Sequence, residues 1–380
     1  MNTKPHYLLL DALRGVAALL VVCYHVFEGF AFAQVQNGAG DGLITTLNHG
    51  YLAVDFFFML SGFVISYAYD DRWSSLTMGN FFKRRLIRLH PMVVFGALLG
   101  ALTFVLGGRL QWSGEVTSWA WVLGATLLGL FLLPAVPGTG FDVRGNGEMY
   151  SLNGPSWSLF FEYIGNFLYA LFIRRFNTRQ LRVWVSCLAG IWAWYCLTDV
   201  SGYGCMGVGW TLDGANFGGG LIRMLFPFSM GMLISRTFRP IACRGALAWT
   251  SLALVLLFAV PYLSGGGLFS YNGLYELFCV MLVFPLLIQL GASNEPKQPR
   301  VERLARFLGD LSYPLYVVHY PLMYLLYAWM IRRGSYDLAS GWVWSLVTVF
   351  ASILVASLAL KWFDRPLRKF FGQKNAQFHF

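Results

Sequence analysis

Charge is what this sequence has least of. Only 12% of its 380 residues are Asp, Glu, Lys or Arg, while 57% are hydrophobic. Ordinary soluble domains are about 25% charged, so the ratio points away from a water-soluble protein and makes lipid the expected solvent. Cysteine is also sparse: six, at positions 23, 187, 196, 205, 243 and 279. They show no CxxC spacing and most sit in apolar stretches, which argues against a disulfide framework or zinc site; no metal is expected. Heptads, low-complexity tracts and internal repeats are missing too. The lack of a repeat argues against a transporter built from two related halves. No polar stretch runs beyond roughly thirty residues, so residues 1–380 read as one membrane domain, with 363–380 as a tail.

What the chain has instead is apolar blocks of span length, roughly 17 to 25 residues. They fall near 8–32, 50–69, 86–107, 118–133, 155–173, 183–200, 218–235, 245–263, 272–290, 306–330 and 341–362. The formal net charge of +10 is the signature of Lys and Arg gathered in cytoplasmic loops, not of a nucleic-acid binder. That bias also chooses a topology. With a cytoplasmic N-terminus and 118–133 entering and leaving on one side, 23 of the 28 Lys and Arg lie inside and five outside: Arg109, Arg144, Arg223, Arg332 and Arg333. If 118–133 crosses, the count becomes 11 inside and 17 outside. The expectation is therefore an all-α integral membrane protein of the cell (inner) membrane. It has about ten transmembrane helices, a re-entrant or interfacial segment at 118–133 and both termini cytoplasmic. Lys4, the run 15–27 and Ala31-Phe32-Ala33 loosely fit a cleavable leader. Asp11 and Arg14 interrupt that run, and nine further spans anchor the chain, so it reads as a retained first span.

Ionisable groups at bilayer depth cost several kcal/mol and usually face a cavity or a partner. In the first block, Arg14 and His25 are eleven positions apart. That is three helical turns, so they share a face about 16 Å apart along the axis. Asp11, one turn before Arg14, is a plausible ion-pair partner. In the second block Asp55 sits at a depth comparable to His25, and reads either as a carboxylate orienting the imidazole or as an interfacial cap. Ser61-Gly62 suits close helix packing. Between the second and third blocks, Lys83-Arg84-Arg85 and Arg88 include an i, i+3 pair, Arg85 and Arg88, fit for bidentate phosphate binding. A positive-inside cluster or a contact with anionic lipid explains it equally well. Asn153-Gly154-Pro155-Ser156 is a helix-start signal. It precedes Trp157 and places Ser158 and Glu162 on one face, at an expected depth near that of His25. His319 lies between Pro314 and Pro321, where prolines free backbone carbonyls that it can bond. Asp364-Arg365 reads as a local cap and ion pair.

Together these segments resemble the membrane acyltransferase-3 family. The resemblance is carried by Arg14-x10-His25, by 50–63, by Arg85-x-x-Arg88, by Trp157-Ser158-Leu159 with Glu162, and by Leu311-Ser312-Tyr313-Pro314-Leu315-Tyr316 with His319. Each motif is weak alone; five in family order across nearly the whole chain are specific. The resemblance implies ten spans and transfer of an acyl group, usually acetyl, from cytoplasmic acyl-CoA to hydroxyls of extracytoplasmic carbohydrates such as O-antigen or exopolysaccharide. Some relatives modify macrolides, and some carry an extracellular hydrolase-like domain. The sequence stops soon after its last apolar block and is expected to lack that domain.

Residues and resemblance give one scheme. Arg85 and Arg88, helped by Lys83 and Arg84, hold the CoA phosphates, and the pantetheine arm passes Arg14 towards His25. His25 then acts as general base on the acceptor hydroxyl, or is itself acylated; the sequence leaves both open. Glu162, Asp55 or Asp11 orients the imidazole, with Glu162 slightly favoured. The rival class is a transporter or flippase for a lipid-linked or anionic solute. Trp112, Trp119, Tyr150, Tyr203 and Trp210 in the outer loops suit stacking on sugars, or an interfacial aromatic belt.

Overall fold

All eleven apolar blocks fold as helix in a computed structural model, which describes residues 6–39, 47–263, 265, 269–296 and 298–376. Lys4 and residues 377–380 of the tail lie outside the described residues. The helices are α1 (Leu8–Gln36), α2 (Ala53–Tyr69, entered through a turn at His49–Leu52), α3 (Met78–Leu106) and α4 (Trp119–Leu130). They continue as α5 (Ser156–Leu171), α6 (Thr178–Leu197), α7 (Gly214–Arg236) and α8 (Ala246–Ala259). Next come α9 (Tyr271–Ser293), α10 (Pro299–Arg333) and α11 (Leu338–Ala359), and α11 runs through a π turn into α12 (Arg365–Ala376). No strand forms among the described residues. By length and composition six helices can cross a membrane: α1, α2, α3, α7, α9 and α11. Helices α4, α8 and α5, at 12, 14 and 16 residues, are only about 18 to 24 Å long. α6 and α10 are longer but carry charged residues.

Glycine decides which helices come close. α1 packs chiefly on α10 and α2 on α7. A Cβ on Gly15 would overlap the Leu308 carbonyl. The second pair interlocks in the same way, Gly62 against the Phe228 carbonyl and Gly231 against that of Met59. Such small-residue contacts are how helices associate where burial from water supplies no driving force. The reading of Ser61-Gly62 as a packing motif fits this contact.

α10 is the central helix, buried along most of Leu311–Met330. Pro321 has no N–H, so the Val317 carbonyl loses its helical partner; Asn153 Nδ2 donates to it at 3.0 Å. That bond fixes the 131–155 connection against α10. His319 bonds a carbonyl as expected, but it is that of Leu315, at 3.0 Å, rather than one released by proline.

Candidate active site

Two cavities meet inside the helix bundle, and Val54 and Tyr316 line both. The first, about 1200 Å³ with its open mouth included, lies at the Arg14 end of α1. The second, about 1590 Å³ measured likewise, lies at the His25 end. Tyr316 is held in the wall between them by Ser158, whose hydroxyl is 2.6 Å from the phenol oxygen. Arg14 and His25 thus share a helix face, as their spacing requires, but open into different chambers.

Five arginines (14, 85, 88, 365 and 368) and four carboxylates (Asp11, Glu162, Asp310, Asp364) line the first cavity. Four pairs form. Arg14 meets Asp11 at 2.8 Å, Arg85 meets Glu162 at 2.8 Å, Arg365 meets Asp310 at 2.6 Å, and Arg368 meets Asp364. Arg14 also donates to Ser312 Oγ at 2.9 Å. Among the described residues Arg88 makes no salt bridge; Arg85, Arg14 and Arg368 repel its charge, and Asp11, already paired with Arg14, offsets them in part. The chamber therefore carries one surplus positive charge at Arg88, the arrangement an anionic group would fill.

In the second cavity His25 Nδ1 lies 2.7 Å from Glu28 Oε2. An ionised carboxylate can only accept, so Nδ1 donates to it, which in the neutral imidazole leaves the lone pair on Nε2. Glu28 is fixed in turn by the hydroxyls of Tyr320 at 3.0 Å and Tyr327 at 2.8 Å. The His319 and Tyr320 rings pack on the imidazole at 5.2 and 4.7 Å. A nitrogen base oriented by a carboxylate, facing a cavity, is the minimum apparatus for taking a proton from a hydroxyl.

The structure corrects several sequence expectations. The carboxylate on His25 is Glu28, not Glu162, Asp55 or Asp11. Glu162 lies on the first-cavity side of the wall, because Ser158 sits in the wall and Glu162 is one turn further on; there it takes Arg85 and the Ser61 hydroxyl, the latter at 3.0 Å. Asp55 is neither a cap nor an imidazole partner. It is fully buried in a two-bond pair with Arg223, at 2.7 and 3.2 Å. Arg223, read as an outer-side charge, is buried on α7, and two further N–H groups go to the carbonyls of Val208 at 2.7 Å and Tyr51 at 3.0 Å. Lys83 and Arg84 are exposed and line neither chamber. Asp364 and Arg365 do not pair with each other; their partners are Arg368 and Asp310.

Of the other sequence candidates, Trp157 lines the second cavity, its ring 5.1 Å from the Arg223 guanidinium carbon. Trp112, Tyr203 and Trp210 line it too. Trp119 does not; it stacks under Arg109 on an exposed surface. Tyr150 is buried, donating to the Leu132 carbonyl. Cys205 also borders this chamber, but burial pushes its thiol up to about 12, so it stays protonated and is no nucleophile. Glu148, on the 131–155 connection, takes the Tyr324 hydroxyl, and burial pushes its carboxyl up to about 7.

Residues 7–362 match the acyltransferase domain that defines the acyltransferase-3 family. The chain belongs to that family. It is 27% identical to the acyltransferase MdmB of Streptomyces mycarofaciens, over 96% of this chain and 92% of that one. It is 22% identical to the peptidoglycan O-acetyltransferase OatA of Listeria monocytogenes, over 95% of this chain but 55% of the relative. Protein 2 in the picA locus of Rhizobium radiobacter is 35% identical across 47% of this chain and 90% of its own length. No solved structure matches. Family membership and the apolar helices make this acyltransferase a multi-pass membrane protein.

Proposed function

We propose that this acyltransferase moves an acyl group, acetyl in the first instance, from acyl-CoA in the first cavity to a hydroxyl of a carbohydrate acceptor in the second. The single observation carrying this reading is the pair of chambers meeting at Tyr316. One has a surplus arginine, and the other has a carboxylate-oriented histidine among aromatic rings. Phosphates of the donor would sit at Arg88, with Arg14 and Arg85 adding to the local field. In the chemical step the acceptor oxygen attacks the thioester carbonyl while His25 Nε2 takes its proton. The thiolate then leaves and recovers that proton from the imidazolium, giving an ester and free CoA.

Ten crossings with both termini cytoplasmic accommodate this arrangement. The charge bias places the Arg14 end of α1, and with it the arginine-rich chamber, on the side where cytoplasmic CoA is found. Three helices fall short of about 30 Å of hydrocarbon; α4 is the shortest of them, and the charge bias singles it out as the segment that does not cross. The cell membrane is the expected site, and the acceptor is then extracytoplasmic or lipid-linked. The test is direct: purified protein in lipid nanodiscs, radiolabelled acetyl-CoA and a glycan extract. Ester-linked label in the glycan is the expected result, and base-stable label or none counts against the reaction. Movement of unmodified solute across proteoliposomes without label transfer would favour the transporter reading.

A further inference from the structure

Beyond His25, one face of α10 continues along the second cavity as Tyr320, Tyr324 and Tyr327, spaced i, i+4, i+7. Ring contacts run outward from His25 to Tyr320 at 4.7 Å, from Tyr320 to Tyr324 at 4.7 Å, and from Tyr324 to Trp112 at 6.0 Å. At that far end two loop segments lie side by side, joined by the Trp112 N–H to the Arg144 carbonyl at 3.0 Å. Here Trp112 Nε1 and Asn146 Oδ1 are both buried without a hydrogen-bond partner, and both residues, with Glu148, line the chamber. Glu148, two residues beyond Asn146, takes the Tyr324 hydroxyl, and the Asn146 amide oxygen is left without a donor. Arg144 is committed to the wall. Its guanidinium lies 3.6 Å over the Tyr324 ring, and its Nε donates to the Ser151 carbonyl at 2.7 Å.

An unpaired donor and an unpaired acceptor beside aromatic faces restrict what fits. Indole N–H only donates and an amide oxygen only accepts, whereas a hydroxyl does both. A phosphate cannot donate to Asn146 and would face Glu28 and Glu148. A hydrocarbon would leave both polar atoms unpaired, at a cost buried groups rarely bear. We propose that Trp112, Asn146 and Glu148 form a subsite for a neutral, hydroxyl-bearing glycosyl ring of the acceptor, set apart from His25 by the Tyr320–Tyr324 wall. It rests on the acyl-transfer reading, and it makes the preferred acceptor one that reaches from His25 to this end of the chamber, not a short alcohol.

The test separates the two claims. Full-length protein in nanodiscs, without acyl donor, is titrated with methyl gluco-, galacto-, manno- and rhamnopyranosides and followed by saturation-transfer NMR. At least one glycoside should bind. Asn146→Leu and the milder Trp112→Phe, each checked for monodispersity, should weaken it about three- to tenfold, the scale of one lost hydrogen bond. Labelled acetyl-CoA is then added, with 1-octanol as the apolar alcohol. Binding that depends on both residues supports the subsite even if no glycoside is labelled, in which case the proposed reaction fails alone. Absence of glycoside binding, or affinities unchanged in both variants, overturns the subsite. Labelled octanol in that situation would show acyl transfer standing without it.

Discussion

Glu28→Gln removes one negative charge while nearly preserving shape, and it tests the His25 site at its least obvious residue. Glu28 accepts from His25 Nδ1 at 2.7 Å and from two tyrosine hydroxyls at 2.8 and 3.0 Å. A glutamine oxygen can still take those bonds, but it cannot stabilise the imidazolium formed when His25 takes a proton. A hydrogen bond to a charged group is worth about 1.5–3 kcal/mol, so kcat should fall about ten- to a hundredfold. KM for the acyl donor should stay close to wild type, since Glu28 borders the second cavity and not the first. Steady-state transfer of labelled acetyl in nanodiscs measures both constants. A Glu28→Gln enzyme within twofold of wild type would refute the assignment.

Arg88→Gln should raise KM for acetyl-CoA about tenfold, the loss of one charge-assisted contact, with little effect on thermal unfolding; a KM equal to wild type would remove Arg88 from donor binding. Asp55→Ala leaves a guanidinium only 1% exposed without its partner, which should destabilise the protein by about 3–5 kcal/mol; an unchanged unfolding temperature in detergent would contradict the pairing. Glu148, with its folded value near 7 against 4.5 unfolded, is protonated in both states at low pH and contributes no penalty there. As pH rises above 4.5 the unfolded carboxyl ionises while the folded one stays protonated to about 7, so the fold loses stability progressively across that interval, by about 3 kcal/mol in all, and no further above it. Glu148→Gln should therefore melt increasingly above wild type between pH 5 and pH 7 and by a steady margin beyond, and a gap independent of pH would count against its burial.

Hydrophobic blocks of span length showed where every long helix lies, because in lipid the backbone must satisfy itself within each segment. The Asp11–Arg14 pair was legible for the same kind of reason, being one turn apart on one helix. Glu28 carried a similar signal, an acidic residue three positions after His25 in an apolar segment, and could have been found by asking which side chains a helix places one turn away. The Asp55–Arg223 pair could not, since it joins α2 to α7 across 168 positions. Arg365 and Arg368 reach the first cavity only because the chain after α11 folds back beside α3 and α10. The depth of Glu162 was misjudged because the helix-start signal at 153–156 fixes where α5 begins, not the depth at which it begins. Tyr316 decides that depth through Ser158, and its place as the wall between chambers emerges only in three dimensions.

Acyl transfer in this mechanism passes through the imidazole of His25. The most direct test is purified His25→Ala in nanodiscs, given labelled acetyl-CoA and the glycan extract that the wild-type protein labels. No ester-linked label above empty nanodiscs, with an unfolding temperature matching wild type, is the predicted result. Labelling at the wild-type rate would contradict it.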